Sequence, residues 1–222
     1  MFRKLILFIT LLYAACVGAD SPDNEANVIA QEHLVYMQTT EGLIVFHMLP
    51  HIAPNHAKRF TDLVSEGWYD GLEFYRVLDG FVAQAGEGES EWNNVKGKPG
   101  KHKSPLTREF TRPMSKEFTL VQKPALLAPQ TGYIDAIPAG QDPATNEEWF
   151  LHCQGMVAMA RDNNPDSGAT EFYINIGHAP RHLDRNMSVF ARVVFGMDVA
   201  QRMNRGNRAA GGVIENPELR TR

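Results

Sequence analysis

Phe74-Tyr75-Arg76-Val77-Leu78-Asp79-Gly80-Phe81-Val82-Ala83-Gln84-Ala85-Gly86 reads as two short strands hinged at Asp79-Gly80. Strands alternate their side chains, so such a pair can bring an arginine, a phenylalanine and a glutamine to one surface. Further strand-like runs cover 33–40, 43–49, 155–160, 171–176 and 189–195, with a hairpin signal at Glu41-Gly42. Pro54 opens a helix predicted to run to about Glu66 and to stop at Gly67, because its missing N–H is harmless in a first turn. Ala57, Phe60, Leu63 and Val64 recur at helical spacing and give that helix a buried face. A second helix is expected from Met197 to about Asn204, and 211–214 reads as a closing strand. The sum predicts a mainly β fold, an antiparallel sheet closed on itself and capped by two helices.

The chain has 222 residues, 43% hydrophobic and 22% charged, enough for one sizeable domain with its own core. A net charge of −4 excludes a general electrostatic attraction to nucleic acid, and the basic run 96–103 reads as a solvated loop. Arg3-Lys4, the apolar stretch 5–15 and the small residues Val17-Gly18-Ala19 form a secretory signal peptide over 1–19. A competing reading makes Cys16 a lipidated N-terminus, the one route by which the chain would meet a membrane. Residues 20–32 are a polar tether, and 33–222 form the folded domain. Without Cys16 only Cys153 remains, so no intrachain disulfide is expected, and Cys153 reads as a structural thiol rather than a nucleophile beside His152. Segment 87–154 carries seven prolines yet also Trp92, Phe110, Phe118, Tyr133, Trp149 and Phe150. That aromatic content argues for an ordered insertion packed on the domain.

Two downstream segments answer the opening one: Gly155-Met156-Val157-Ala158-Met159-Ala160-Arg161 with Glu171-Phe172-Tyr173-Ile174-Asn175, and Val189-Phe190-Ala191-Arg192-Val193-Val194 with Gly196-Met197-Asp198. In order and spacing the three resemble the signatures of the cyclophilin-type peptidyl-prolyl cis-trans isomerases. The resemblance implies a closed antiparallel eight-stranded barrel capped by two α-helices, here with a long inserted loop. It implies catalysis of X-Pro isomerisation without metal or cofactor. Arg76 occupies the position of the family's catalytic arginine. Phe81, Val82, Tyr173 and Leu183 match positions of the proline pocket, and Gln84 matches the glutamine that positions substrate and arginine. Ala160 and Arg161 match the short strand that pairs with the substrate peptide. Glu171, His182 and Met187 also fall at substrate-binding positions, but Glu171 replaces a glutamine, His182 a tryptophan and Met187 a histidine of many members. Tyr75 replaces a histidine, and Tyr173 replaces a phenylalanine and so adds a hydroxyl that must find a partner. Altered peptide preference and weak cyclosporin binding are expected from these departures.

The partners so implied are proline-containing polypeptides of exported proteins, met by a monomer in a bacterial periplasm, or in the secretory pathway of a eukaryote. A catalytically weak peptide-binding or chaperone module on the same fold is the alternative. Other signals fail. The run 162–166 starts like a calcium loop but lacks its glycine and its final glutamate. His47, His51 and His56 have no completing ligand and read as solvent-facing. Asn186-Met187-Ser188 is a glycosylation sequon at the pocket rim, and Ser90 lacks the context of a nucleophile elbow.

Overall fold

The computed structural model describes residues 29–88, 104–177 and 180–222. The signal-peptide span, most of the tether, Ser90, Trp92 and the basic run 96–103 lie outside those residues. The first strands in chain order are β1 (Leu34–Thr39), β2 (Gly42–Met48), β3 (Glu73–Leu78) and β4 (Val82–Gly86). The insertion contributes β5 (Arg112–Pro113), β6 (Thr119–Gln122), β7 (Gln130–Ile134), β8 (Ile137–Asp142) and β9 (Glu147–Phe150). The last strands are β10 (Met156–Met159), β11 (Phe172–Asn175) and β12 (Val189–Phe195), and the helices are α1 (Pro54–Ser65) and α2 (Met197–Arg202).

Among the described residues the main sheet has seven strands, ordered β1-β2-β12-β10-β11-β4-β3. The β1–β2 turn uses Gly42 at φ +136, a backbone region that side chains avoid. α1 packs Ala57, Phe60 and Leu63 inward. Phe60 sits at the centre of an aromatic cluster, 5.1 Å from Phe172 and 5.0 Å from Phe190 between ring centroids.

The expected eighth, closing strand is not formed, and the sheet is an open half-barrel. Gly211 (φ +69) and Gly212 (φ +88) turn the backbone out of the extended region. The C-terminal tail then makes single bridges, Val213 with Arg76 and Thr221 with Phe74. Backbone bonds hold it to β3, the Ile214 N–H donating to the Tyr75 carbonyl at 2.9 Å and the Phe74 N–H to the Thr221 carbonyl at 2.8 Å, and the Glu73 carboxylate meets Arg220 at 3.1 Å and Arg222 at 2.8 Å. The Thr40 N–H donates to the Arg222 carbonyl at 2.7 Å, which reaches the far edge of the sheet.

The described part of the insertion is likewise no loop but a second antiparallel sheet, ordered β5-β9-β8-β7-β6. Its Ile134, Ile137, Ala139 and Phe150 pack against Ala158, Tyr173 and Val189 of the main sheet. Two cores result, an inner one under α1 and an outer one between the sheets. Pro113 lies on the two-residue edge strand, where no ladder bond is lost. Glu148 is fully buried, and it is satisfied by Arg112 Nε at 2.6 Å, Gln141 Nε2 at 2.8 Å and the Ser115 amide at 3.0 Å.

Of the three histidines read as solvent-facing, only His51 is exposed. His56 is 2% exposed, and His47 is half-buried with its pKa lowered to about 4, by burial first and then by the Arg192 charge. Sequence spacing could not show this, because the partner of His56 is Glu109, brought from the insertion. Glu109 accepts from His56 Nδ1 at 2.6 Å and from the amides of Asn55 (3.1 Å) and His56 (3.0 Å). It therefore caps α1, whose own N-cap residue, Ala53, has no side-chain acceptor.

Burial disfavours the charged forms of Glu109 and Glu148, but the hydrogen bonds to each outweigh it and hold both below the ordinary value of 4.5. A depressed folded pKa stabilises the fold above the unfolded pKa, and that stabilisation is lost as pH falls through the folded value. Unfolding should therefore steepen below pH 4.5. Glu109→Ala should lower stability at neutral pH by about 2 kcal/mol and flatten this acid limb, measured by thermal melts across pH.

Candidate active site

β3 sets Arg76 opposite Gln84 on β4, and β4 sets Gln84 opposite Tyr173 on β11. Opposed residues of antiparallel strands point to the same face, so these three form one row on the outer face of the sheet. Their neighbours Ala85 and Phe172, also opposed, join the inner core. The β3–β4 turn uses Gly80 at φ +68 and places Phe81 at the end of the row.

The row opens into a cavity of about 150 Å³ lined by Arg76, Phe81, Val82, Gln84, Tyr173, Leu183, Met187, Ala160 and Arg161. A void of roughly that size holds a benzene-sized ring, so a pyrrolidine ring fits. Nine of the eleven residues singled out from sequence meet here. His182 stands outside, an exposed ring stacked on Phe81 with centroids 5.7 Å apart and planes at 10°. Glu171 lines the adjoining cavity of about 360 Å³, together with Tyr75, Arg76 and Gln84.

Arg76 is held by two bonds: Nε donates to the Gly211 carbonyl at 2.8 Å and Nη1 to Gln84 Oε1 at 2.9 Å. Its Cζ lies 6.0 Å from the Phe81 ring centre, at the limit of a cation–π contact. Gln84 Nε2 donates to the Tyr75 hydroxyl at 2.6 Å, and that hydroxyl donates to Glu171 Oε2 at 2.7 Å. Burial, then the Glu171 charge, pushes the Tyr75 phenol up, so it stays protonated. Burial also raises the Glu171 pKa above 4.5, against the pull of Tyr75 and of the Gly88 and Glu87 amides. Arg161 donates to the Asn186 carbonyl at 3.1 Å and to its Oδ1, with its guanidinium over Phe110. The sequon asparagine is thus engaged by the site itself. The Ala160 amide donates to the Glu171 carbonyl at 2.8 Å, away from the cavity.

Sequence reading missed the support behind the cavity. The Tyr173 hydroxyl lies 3.1 Å from His152 Nε2, and His152 Nδ1 lies 3.1 Å from Asp184 Oδ1. Burial pushes the Tyr173 phenol up, so it donates to Nε2, and Nδ1 carries the proton toward the Asp184 carboxylate. Asp184 is the residue after Leu183, so His152 ties the floor of the cavity to its wall. The hydroxyl at position 173 was a signal that a partner must exist; nothing local pointed to a histidine 21 residues away. Among the described residues, no group of three or more His, Cys, Asp or Glu is arranged to hold a metal ion.

The sequence matches the family model "Cyclophilin type peptidyl-prolyl cis-trans isomerase/CLD" over residues 34–219. The crystal structure of cyclophilin AquaCyp293 from Hirschia baltica superposes with a TM-score of 0.71 at 30% identity, covering 87% of this chain and 72% of that one. A Brucella suis protein named "Probable peptidyl-prolyl cis-trans isomerase" is 28% identical over 211 residues, 95% of this chain and 88% of its own. A Cryptosporidium parvum cyclophilin-type isomerase, crystallised in the presence of the dipeptide Ala-Pro, shares the fold at 16% identity and a TM-score of 0.54, covering 82% of this chain and 92% of that one. The chain belongs to the cyclophilin-type peptidyl-prolyl cis-trans isomerase family.

His152→Ala should leave the buried Tyr173 hydroxyl without its acceptor and lower stability by about 1–3 kcal/mol. Tyr173→Phe in the same background should add little, which a double-mutant cycle on thermal or urea unfolding would read.

Proposed function

We propose that this isomerase holds the proline ring in the cavity bounded by Phe81, Val82, Tyr173, Leu183 and Met187, and that Arg76 stabilises the twisted amide. Rotation about a peptide bond faces a barrier of about 18–20 kcal/mol because the C–N bond has double-bond character. In the perpendicular transition state the prolyl nitrogen regains its lone pair and accepts a hydrogen bond that the planar ground state does not. A donor fixed beside that nitrogen is therefore favoured only where it accelerates the reaction. The observation that carries this reading is the pinning of Arg76, which lines the cavity, by Gly211 and Gln84, which leaves Nη2 without a partner among the described residues. An apolar cavity limits water, which would otherwise stabilise the polarised planar amide.

The substrates we infer are polypeptides of exported proteins, met in the periplasm by a monomer. Arg3-Lys4 and the apolar run before Ala19 support that reading, with lipidation at Cys16 as its variant. A second reading, peptide holding in a chaperone-like role, is favoured by exposed Leu120, Val121, Leu126 and Leu127 on the inserted segment.

Arg76→Ala should lower kcat/KM for a short X-Pro peptide about 100-fold, measured by NMR exchange or a protease-coupled assay. Undiminished turnover would sink the arginine mechanism. Cyclosporin should inhibit weakly, because an exposed His182 stacked on Phe81 stands where many members offer tryptophan; nanomolar inhibition would contradict this.

A further inference from the structure

Four side chains form one directed chain of hydrogen bonds beside the cavity. Arg76 Nη1 donates to Gln84 Oε1, Gln84 Nε2 to the Tyr75 hydroxyl, and that hydroxyl to Glu171 Oε2, over 2.9, 2.6 and 2.7 Å. Every donor points away from the guanidinium toward the carboxylate. Each link polarises the next, so a negative charge at the far end sharpens acceptance at the near end. The backbone makes room for it: Gly86 has φ +145, and a Cβ there would sit 2.4 Å from the Glu171 carboxylate. The Gly88 amide donates to Glu171 Oε1 at 2.9 Å and fixes the carboxylate from the other side.

We infer that Glu171 and Tyr75 are positioning residues for isomerisation, acting through Gln84 to hold the Arg76 guanidinium in its working orientation. The inference rests on the arginine reading above and deepens it. Tyr75 and Glu171 are two of the departures from the family pattern, and here each is the other's partner. A carboxylate accepts the Tyr75 proton; a protonated carboxyl is itself a donor, so the hydroxyl can turn and release Gln84.

The inference predicts an acid limb in turnover. Groups facing Glu171 are Tyr75 and Arg76 from β3, Glu87 after β4, Tyr69 after α1, and Arg161 and Asp162 after β10. Its pKa is raised, whereas those of Glu109 and Glu148 are lowered, so Glu171 takes up its proton at a higher pH than these two. Melts at each pH separate loss of turnover from unfolding.

The test measures kcat and KM by NMR exchange on an X-Pro peptide between pH 4.5 and about 8, with thermal melts on every variant. Wild type should lose about half or more of its kcat by pH 4.5, where a raised pKa leaves most of Glu171 protonated, with KM little changed. Glu171→Gln should abolish that limb, and Glu87→Gln should keep it. Tyr75→Phe should lower kcat about tenfold at neutral pH, and adding Glu171→Gln to it should cause no further loss. An unchanged acid limb in Glu171→Gln, or independent multiplying effects of the two variants, would overturn the inference while leaving the Arg76→Ala result untouched. Equal turnover of Arg76→Ala and wild type would instead remove the arginine reading itself.

Discussion

The register of β3 on β4 on β11 is the constraint on which the site depends. A one-residue slip in a sheet turns every side chain to the opposite face. Here it would drive Arg76 among Phe60, Phe74 and Phe172 and expose Val77 and Ala83, which are fully buried. Burying an unpaired charge in such a core costs several kcal/mol, and the apolar contacts on the inner face would be lost as well. The inner aromatic cluster therefore sets which residues appear on the outside. Arg76, Gln84 and Tyr173 stand in line because their neighbours cannot leave the core.

The outer face is shared. Part of it is the cavity mouth; the rest is covered by the inserted sheet through Ile134, Ile137, Ala139 and Phe150. The insertion also reaches into the site's support. Glu109 caps α1 and holds His56, and His152, just past β9, ties Tyr173 to the loop bearing Leu183. An added segment can stiffen a pocket without touching what the pocket holds, and His152 does so from a fully buried position.

Legibility in the sequence tracked the range of the physics involved. The strands of the main sheet and α1 were readable to within a residue or two, since alternation, helical spacing, Pro54 and Gly67 are local signals. The cavity residues were readable as a set because the motif spacing encodes the register. The strands of the insertion were not, being short and broken by prolines, with pairing decided by contact with the other sheet. The missing eighth strand was misread for a related reason. Val213-Ile214 has strand composition, but with Gly211 and Gly212 before it and Pro217 after it the tail makes only single bridges to β3, supported by the pairing of Glu73 with Arg220 and Arg222. Sequence cannot reveal which way a side chain turns, so the pairing of the Glu171 carboxylate with Tyr75 was not legible beforehand.

The departures from the family pattern are coupled, and physics requires it. A hydroxyl or carboxylate introduced near a dry pocket is unfavourable unless something satisfies it. Tyr173 adds a hydroxyl, and His152 with Asp184 receives it. Glu171 adds a charge, and Tyr75, the Gly88 amide and the open space over Gly86 receive that. In both cases the new polar group is satisfied by protein partners, and Phe81, Val82, Leu183 and Met187 supply the apolar part of the cavity lining. The partners of Tyr173 reach Asp184, next to Leu183, and those of Glu171 reach Arg76 through Tyr75 and Gln84.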